Sequence, residues 1–158
     1  MIVHPIPPLF DENSKTLILG SFPSVKSREA AFFYGHPQNR FWSVLAAIYG
    51  IDKPETVEEK KKLILQNSLA LWDVIASCEI IGSSDSSITD VTANDLSIII
   101  ENSKVDKIFV NGKTAEKYYN KYTYPKTGIK AICLPSTSPA NAAWNLEKLV
   151  KAWKIIKE

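Results

Sequence analysis

Residues that can bind a planar polar ring are concentrated between Gly20 and Trp42, in the sequence GSFPSVKSREAAFFYGHPQNRFW. The aromatic rings of this segment offer flat faces, and stacking of a nucleobase on such a ring is worth roughly 1–3 kcal/mol. Hydroxyl, amide, imidazole and cationic groups are interleaved with the rings: Ser21, Ser24, Lys26, Ser27, Arg28, His36, Gln38, Asn39 and Arg40. The combination is typical of a pocket for a planar polar ring beside a phosphate.

A second polar segment, LPSTSPAN, covers Leu134 to Asn141. It carries two prolines and three hydroxyl residues. Rigid loops of small residues can press against a phosphate backbone and enter a groove. Such loops are also common as ordinary connections between a strand and a helix, so neither segment is specific alone.

These segments need a scaffold, and buried-strand patterns supply one. Apolar runs occur at Thr16–Leu19, Leu69–Val74, Lys107–Val110 and Lys130–Leu134. Because helical patterns alternate with these runs, we predict a single domain over residues 1–158, of class α/β. It should have three α/β/α layers around a mainly parallel four-stranded sheet. Parallel sheets bind ligands at the carboxyl ends of their strands, where both polar segments fall.

Capping residues predict where the helices begin. The expected caps are Asn39 before residues 41–49, Thr56 with Glu59 before residues 57–66, Asn94 before a helix to Asn102, and Ser138 with Pro139 before the last helix. The serine-rich stretch 77–90 is expected to be a loop. Trp144, Leu149, Trp153 and Ile156 are expected to face the core.

Composition excludes several classes of protein. The chain has 158 residues, 45% hydrophobic and 23% charged, with a net charge of +2, so disorder is not expected. Two cysteines, Cys78 and Cys133, and two histidines, His4 and His36, are too few for an iron–sulfur cluster or a cysteine- or histidine-rich metal site. We therefore expect no metal and no cofactor. No apolar run approaches a membrane span and no secretory signal is evident, so a cytoplasmic protein is expected.

Taken together, four motifs resemble the uracil-DNA glycosylase superfamily. They are GSFPS at residues 20–24, YGHPQNRFW at 34–42, NGK at 111–113 and LPSTSP at 134–139. The HPQNRFW segment is similar to the mismatch-specific and thymine-DNA glycosylase branch. The full combination looks most like the DNA-deoxyinosine (hypoxanthine-DNA) glycosylases. The resemblance extends from about Thr16 to Ile155.

The resemblance implies a monofunctional enzyme of base excision repair, which flips a deaminated base out of DNA and hydrolyses its N-glycosidic bond by water attack on an oxocarbenium-like sugar. Familiar branches carry Asp or Asn where Phe22 stands, and histidine where Leu134 stands. The resemblance assigns the water-positioning role to Asn39, whose side-chain carbonyl is expected to accept a water proton. Tyr34 is expected to stack on the base, and Asp85 to accept from N1–H of hypoxanthine. The expected substrate-binding residues are Ser21, Phe22, Pro23, Ser24, Tyr34, His36 and Asp85. The expected DNA-binding residues are Lys26, Ser27, Arg28, Arg40, Lys113, Ser136, Thr137, Ser138 and Pro139.

Three alternatives stay open. Uracil or mismatched thymine could be the substrate in place of hypoxanthine. A catalytically silent module that binds DNA damage could use the same loops. A serine hydrolase is disfavoured because the sequence has no G-x-S-x-G motif. The partner in the first two cases is DNA, and a monomer is expected.

Overall fold

The central sheet has four parallel strands, as predicted. A computed structural model describes all 158 residues. The strands are β2 (Thr16–Gly20), β3 (Leu69–Asp73), β6 (Lys107–Asn111) and β7 (Ala131–Leu134), in the spatial order β3-β2-β6-β7. Thr16 is in register with Leu69 of β3 and with Lys107 of β6. The carboxyl ends of these strands therefore meet at one edge.

Each strand of the central pair feeds two hydrophobic cores because its side chains alternate between the faces. Ile18 and Phe109 point into one core, whereas Leu17, Leu19, Ile108 and Val110 point into the other. The first core is closed by α2 (Phe41–Tyr49), α3 (Val57–Gln66) and α7 (Leu146–Trp153). The second is closed mainly by α4 (Ser97–Ile100) and α5 (Lys113–Tyr118). The three-layer α/β/α prediction is confirmed.

A smaller antiparallel sheet lies outside the predicted architecture. It consists of β1 (Ile2–Val3), β4 (Ile75–Glu79) and β5 (Thr89–Ala93), in the order β1-β4-β5. The prediction of a loop over residues 77–90 was therefore wrong at both ends. A segment rich in exposed Thr, Asp and Ser has the composition of a loop. Only its pairing with another strand in the structure shows that its backbone is extended. The remaining elements are α1 (Val25–Ala30), α6 (Tyr124–Thr127), 3-10 turns at Asp85–Ser87 and Lys154–Lys157, and a π turn at Tyr119–Thr123.

The predicted helix caps had mixed outcomes. Thr56 accepts a hydrogen bond from Glu59 N at 3.1 Å, which confirms the start of α3. The last helix does not begin at Pro139 but at Leu146, where Asn145 accepts from Lys148 N at 2.9 Å. Ser138 accepts from Ala140 N in a local turn instead.

Asn94 is not a helix cap either. Its side-chain amide donates to the carbonyls of Asp73 and Ile75 at 2.9 and 3.3 Å. It therefore ties the end of β3 to the start of β4, and α4 begins only at Ser97. Asn satisfies strand carbonyls as readily as helix amides, so the residue type alone did not distinguish the two.

Both cysteines are free, with Cys78 buried and Cys133 half-buried. Burial raises the pKa of each thiol. No helix of the chain combines the length and the apolar character that crossing a membrane requires.

Trp153 of α7 connects the core to the last loop and gives the first prediction. Its ring is fully buried, packs edge-on against Phe41 at 5.8 Å and donates from Nε1 to the carbonyl of Pro135 at 2.9 Å. We expect Trp153→Ala to lower the free energy of unfolding by about 3–5 kcal/mol. Urea denaturation followed by circular dichroism measures this. Leu146→Ala, at an exposed position of the same helix, should cost no more than about 0.5 kcal/mol. Equal losses in the two variants would contradict this account of the packing.

Candidate active site

The loops that follow the parallel strands enclose one cavity of about 270 Å³. Most of the expected site residues line it: Ser21, Phe22, Pro23, Ser24, Ser27, Tyr34, His36, Asn39, Asp85, Ser136, Thr137, Ser138 and Pro139. Sequence reasoning did not assign six further lining residues to the site: Gly20, Phe33, Asp73, Ser83, Asn111 and Ala140. The two polar segments of the sequence therefore contribute to one cavity.

Asn39 joins the first segment to the second. Its Oδ1 accepts from Phe41 N at 2.9 Å, at the start of α2, and from Thr137 Oγ1 at 2.8 Å. Asn39 thus helps to cap α2, although Arg40 occupies the cap position. The side chain is not restricted to its own helix start, because the second bond crosses to the last loop.

Asn111, at the end of β6, completes this connection. Its Oδ1 accepts from Thr137 N at 3.1 Å, and its Nδ2 donates to Thr137 Oγ1 at 3.0 Å. Thr137 is fully buried. Side-chain hydrogen bonds therefore link the segment before α2, the end of β6 and the last loop, at residues that line the cavity.

The last loop, Pro135–Asn141, is held from behind. Arg40 donates through Nη2 to the carbonyls of Ser138 and Asn141 at 2.8 and 3.2 Å, and through Nη1 to the carbonyl of Trp144. Asn141 Nδ2 donates to Ser136 O at 3.0 Å. These bonds fix the loop without any regular secondary structure.

A buried carboxylate, Asp73, lies at the end of β3 in the cavity wall. His4 Nε2 donates to Asp73 Oδ2 at 2.7 Å, and the two side chains are 4% and 6% exposed. Since His4 Nδ1 accepts from Ile6 N at 3.1 Å, that nitrogen carries the lone pair and Nε2 carries the proton. No protein group donates to Asp73 Oδ1. Only the strand-end position of Asp73 could have revealed it in the sequence, and nothing there indicated His4 as its partner.

Gly20 makes room for this carboxylate. A side chain at Gly20 would overlap Asp73 Oδ1 and crowd the hydroxyl of Tyr34. The glycine that ends β2 is therefore required by close approach and not by its backbone angles.

Tyr34 has one ring face covered by Phe41, with centroids 3.9 Å apart and planes 16° from parallel. Its backbone is left-handed, with φ of 52°, so the turn is a specific feature of this segment. Its hydroxyl is buried with no hydrogen-bond partner. Burial, and then the charge of Asp73, raises the pKa of Tyr34 far above its ordinary value, so the phenol stays neutral.

The serines mostly organise the loops. Ser24 caps α1 by accepting from Ser27 N at 3.1 Å, and Ser27 Oγ accepts from Gly35 N at 2.8 Å. Ser21 Oγ donates to Asp85 Oδ1 at 3.2 Å. Asp85 is an exposed residue, yet partial desolvation raises the pKa of its carboxyl above the ordinary value.

His36 and Phe22 also line the cavity. His36 Nδ1 accepts from Gln38 N at 3.1 Å, which leaves Nε2 as the nitrogen that can face a ligand. Phe22 is buried, with its ring against His4 at 5.9 Å and Arg28 above it at 5.7 Å. Phe22 therefore packs between His4 and Arg28.

The expected phosphate-binding cations lie outside the cavity. Lys26 is exposed and 3.8 Å from Glu29, and Lys113 is exposed at the start of α5. Arg28 donates to Gly82 O at 2.6 Å. The guanidinium of Arg40 donates to carbonyls of the last loop, so in this structure Arg40 positions that loop. No group of three or more His, Cys, Asp or Glu side chains is arranged to hold a metal ion.

Comparisons with known proteins agree on one family. The model of the uracil DNA glycosylase superfamily matches residues 7–157. A hypoxanthine DNA glycosylase of Methanosarcina acetivorans is 37% identical over 143 residues, which is 89% of each chain. One of Methanosarcina barkeri is 34% identical over 114 residues, covering 71% of this chain and 72% of the relative. The solution NMR structure of a candidate uracil DNA glycosylase from M. acetivorans superposes with a TM-score of 0.81 at 32% identity, over 100% of both chains.

The His4–Asp73 pair gives a prediction for stability. His4→Leu leaves the buried carboxylate without its donor, so the free energy of unfolding should fall by about 1–3 kcal/mol. His4→Gln, whose amide can still donate to Oδ2, should lose less than half as much. Urea denaturation at neutral pH compares the two variants. If His4→Leu and His4→Gln had the same free energy of unfolding, the hydrogen bond would contribute nothing to the stability of the fold.

Proposed function

This chain belongs to the uracil DNA glycosylase superfamily, and from that premise we propose that it releases hypoxanthine from deoxyinosine in DNA. The observation that carries the proposal is the convergence of Asn39, Asp73 and Thr137 on one cavity at the carboxyl edge of the sheet. The relatives named hypoxanthine DNA glycosylase support the choice of base. The cavity of about 270 Å³ is just below the roughly 300–1,000 Å³ of pockets for drug-sized ligands, a size suited to a single base.

A base inside a duplex cannot reach such a cavity, so the nucleotide must be flipped out of the stack. The Pro135–Asn141 loop is suited to press against the backbone beside the flipped nucleotide, because Arg40 and Trp153 hold it rigidly. Lys26, Arg28 and Lys113 are the candidate phosphate contacts around the entrance. The net charge is only +2, so such local contacts carry the electrostatic attraction.

Two carboxylates can read the edge of the base. Hypoxanthine presents an N–H at position 1, whereas adenine presents a lone pair there. Asp73 Oδ1 has no protein donor, and its other oxygen is fixed by His4. A fixed acceptor at that position attracts the N–H of hypoxanthine and repels the lone pair of adenine. Asp85 is the other acceptor in the wall, held by Ser21.

The reaction is hydrolysis of the bond between C1′ and N9. The electron pair of that bond leaves with the base, and positive charge develops on the sugar. The oxygen of a water molecule bonds to C1′, one of its protons is lost to an acceptor, and the departing base takes up a proton on a ring nitrogen. Fixed donors around the base stabilise the charge that it gains. Tyr34 is proposed to stack on the base with the ring face that Phe41 leaves uncovered.

The test uses duplexes that carry one deoxyinosine, one deoxyuridine or one T·G mismatch, treated with protein and then with alkali. We expect strand breaks at deoxyinosine, and we expect Asn39→Ala to slow them by about 10²–10³-fold. Asn120→Ala, at an exposed position outside the cavity, is the matched control. Intact strands on every substrate, together with tight binding to the lesion, would instead support a DNA-damage-binding module. If cleavage were confined to deoxyuridine or to the T·G mismatch, uracil or mismatched thymine would be the substrate and hypoxanthine would not.

The substitutions Asp73→Asn and Asp85→Asn distinguish which of the two carboxylates binds the edge of the base. At position 73 the amide can keep one oxygen toward His4 and turn its NH₂ to the cavity, which removes the acceptor. We expect the single-turnover rate on deoxyinosine to fall by about tenfold to a hundredfold for Asp73→Asn and by less for Asp85→Asn. The opposite order would identify Asp85 as the group that reads the base.

A further inference from the structure

The amide of Asn39 is oriented by two donors that both point at the same atom. Oδ1 accepts from the backbone N–H of Phe41 and from the hydroxyl of Thr137, at 2.9 and 2.8 Å. An amide oxygen has two lone pairs, so its capacity to accept is used. Nδ2 makes no hydrogen bond within the protein, and Asn39 borders the cavity.

The direction of these hydrogen bonds cannot be reversed, because a backbone N–H anchors each end. Thr137 N donates to Asn111 Oδ1, which fixes the Asn111 amide with Nδ2 toward Thr137 Oγ1. The threonine hydroxyl has one proton, and with Asn111 donating to its oxygen that proton goes to Asn39 Oδ1. At the other end, Phe41 N requires an acceptor and therefore also selects Oδ1.

We propose that Asn39 acts as a hydrogen-bond donor to the leaving base, and that Thr137 and Asn111 are positioning residues that set this polarity. The inference rests on the proposed function and deepens it. A carbonyl that accepts a water proton, the role expected from the sequence, does not fit an oxygen with two donors already. The electron pair of the C1′–N9 bond spreads over N3, N7 and O6 of the base, all of which accept hydrogen bonds.

The water proton then needs another acceptor. Asp73 and Asp85 both line the cavity, and the carboxylate that is not bonded to N1–H of the base is available for this proton, since a carboxylate takes up a proton far more readily than an amide does. In this arrangement the amide stabilises the departing base, while a carboxylate receives the proton of the attacking water. The two tasks fall to different side chains.

Asn39→Asp tests the polarity because it keeps the shape and exchanges the cavity-facing donor for an acceptor. Both bonds to the carboxylate oxygen, from Phe41 and Thr137, can persist. We expect the single-turnover rate on deoxyinosine, at saturating protein, to fall by about 10²-fold or more near pH 8. Part of the activity should return toward about pH 5, where a protonated carboxyl can donate again. A rate equal to or above that of the wild type near pH 8 would overturn the inference, since it would show that an acceptor is needed.

Thr137 variants test the positioning role. Thr137→Ser keeps the hydroxyl and should stay within about threefold of the wild-type rate, whereas Thr137→Val should lose about tenfold. If Thr137 acts through Asn39, adding Thr137→Val to Asn39→Ala should cause no further loss. Additive losses would assign Thr137 an independent role and overturn this part of the proposal. Thr123→Val is the matched control, since Thr123 is buried outside the cavity and its hydroxyl has no partner.

The wild-type protein distinguishes the two levels of failure. Absence of cleavage at deoxyinosine would overturn the proposed function, and the inference with it. Cleavage by the wild type combined with an active Asn39→Asp variant would leave the function intact and overturn the donor role alone.

Discussion

The site depends on a short chain of hydrogen bonds whose direction is fixed by two backbone N–H groups. Thr137 N sets the amide of Asn111, Asn111 sets the hydroxyl of Thr137, and that hydroxyl together with Phe41 N sets the amide of Asn39. Because Thr137 is fully buried, water does not compete for these bonds. A low local dielectric strengthens such a chain and makes any unpaired member costly.

The fold supports this chain of hydrogen bonds by bringing the start of α2 to the ends of β6 and β7. These three places are distant in sequence, and the parallel sheet puts the ends of β6 and β7 at the same edge. Arg40 and Trp153 then fix the last loop from the side of the first core, through the carbonyls of Ser138 and Pro135. Trp153 therefore connects the hydrophobic core to the polar site, since its ring packs on Phe41 while its Nε1 bonds to the last loop.

The polar groups that line the cavity include both hydrogen-bond donors and acceptors. Asn39 Nδ2, the proposed donor, has no acceptor within the protein, and His36 has a nitrogen free to donate. Asp73, at the end of β3, and Asp85, in the turn between β4 and β5, present acceptors. A lactam such as hypoxanthine carries acceptors and one N–H, so it can bond to both kinds of group at once. The neutral state of Tyr34 adds no charge between them. In the proposed enzyme this division separates stabilisation of the leaving base from removal of the water proton.

The sequence by itself predicted the sheet and both polar loops, because apolar periodicity and strand-end placement are local properties. Asn39 was singled out through the resemblance of the four motifs, and the structure places Asn39 and Thr137 beside the same cavity. The sequence did not reveal the small sheet, because the composition of β4 and β5 is that of a loop. It also did not reveal that α7 begins only at Leu146. Composition could not show that His4 donates to Asp73, 69 positions later in the chain, or that the guanidinium of Arg40 donates to carbonyls of the last loop. Only the tertiary structure decided which atom of Asn39 accepts hydrogen bonds from the protein, since that depends on donors contributed by Phe41 and by a residue 98 positions away. The direction of a hydrogen bond depends on both partners once they are in contact, so the type of one residue does not predict it.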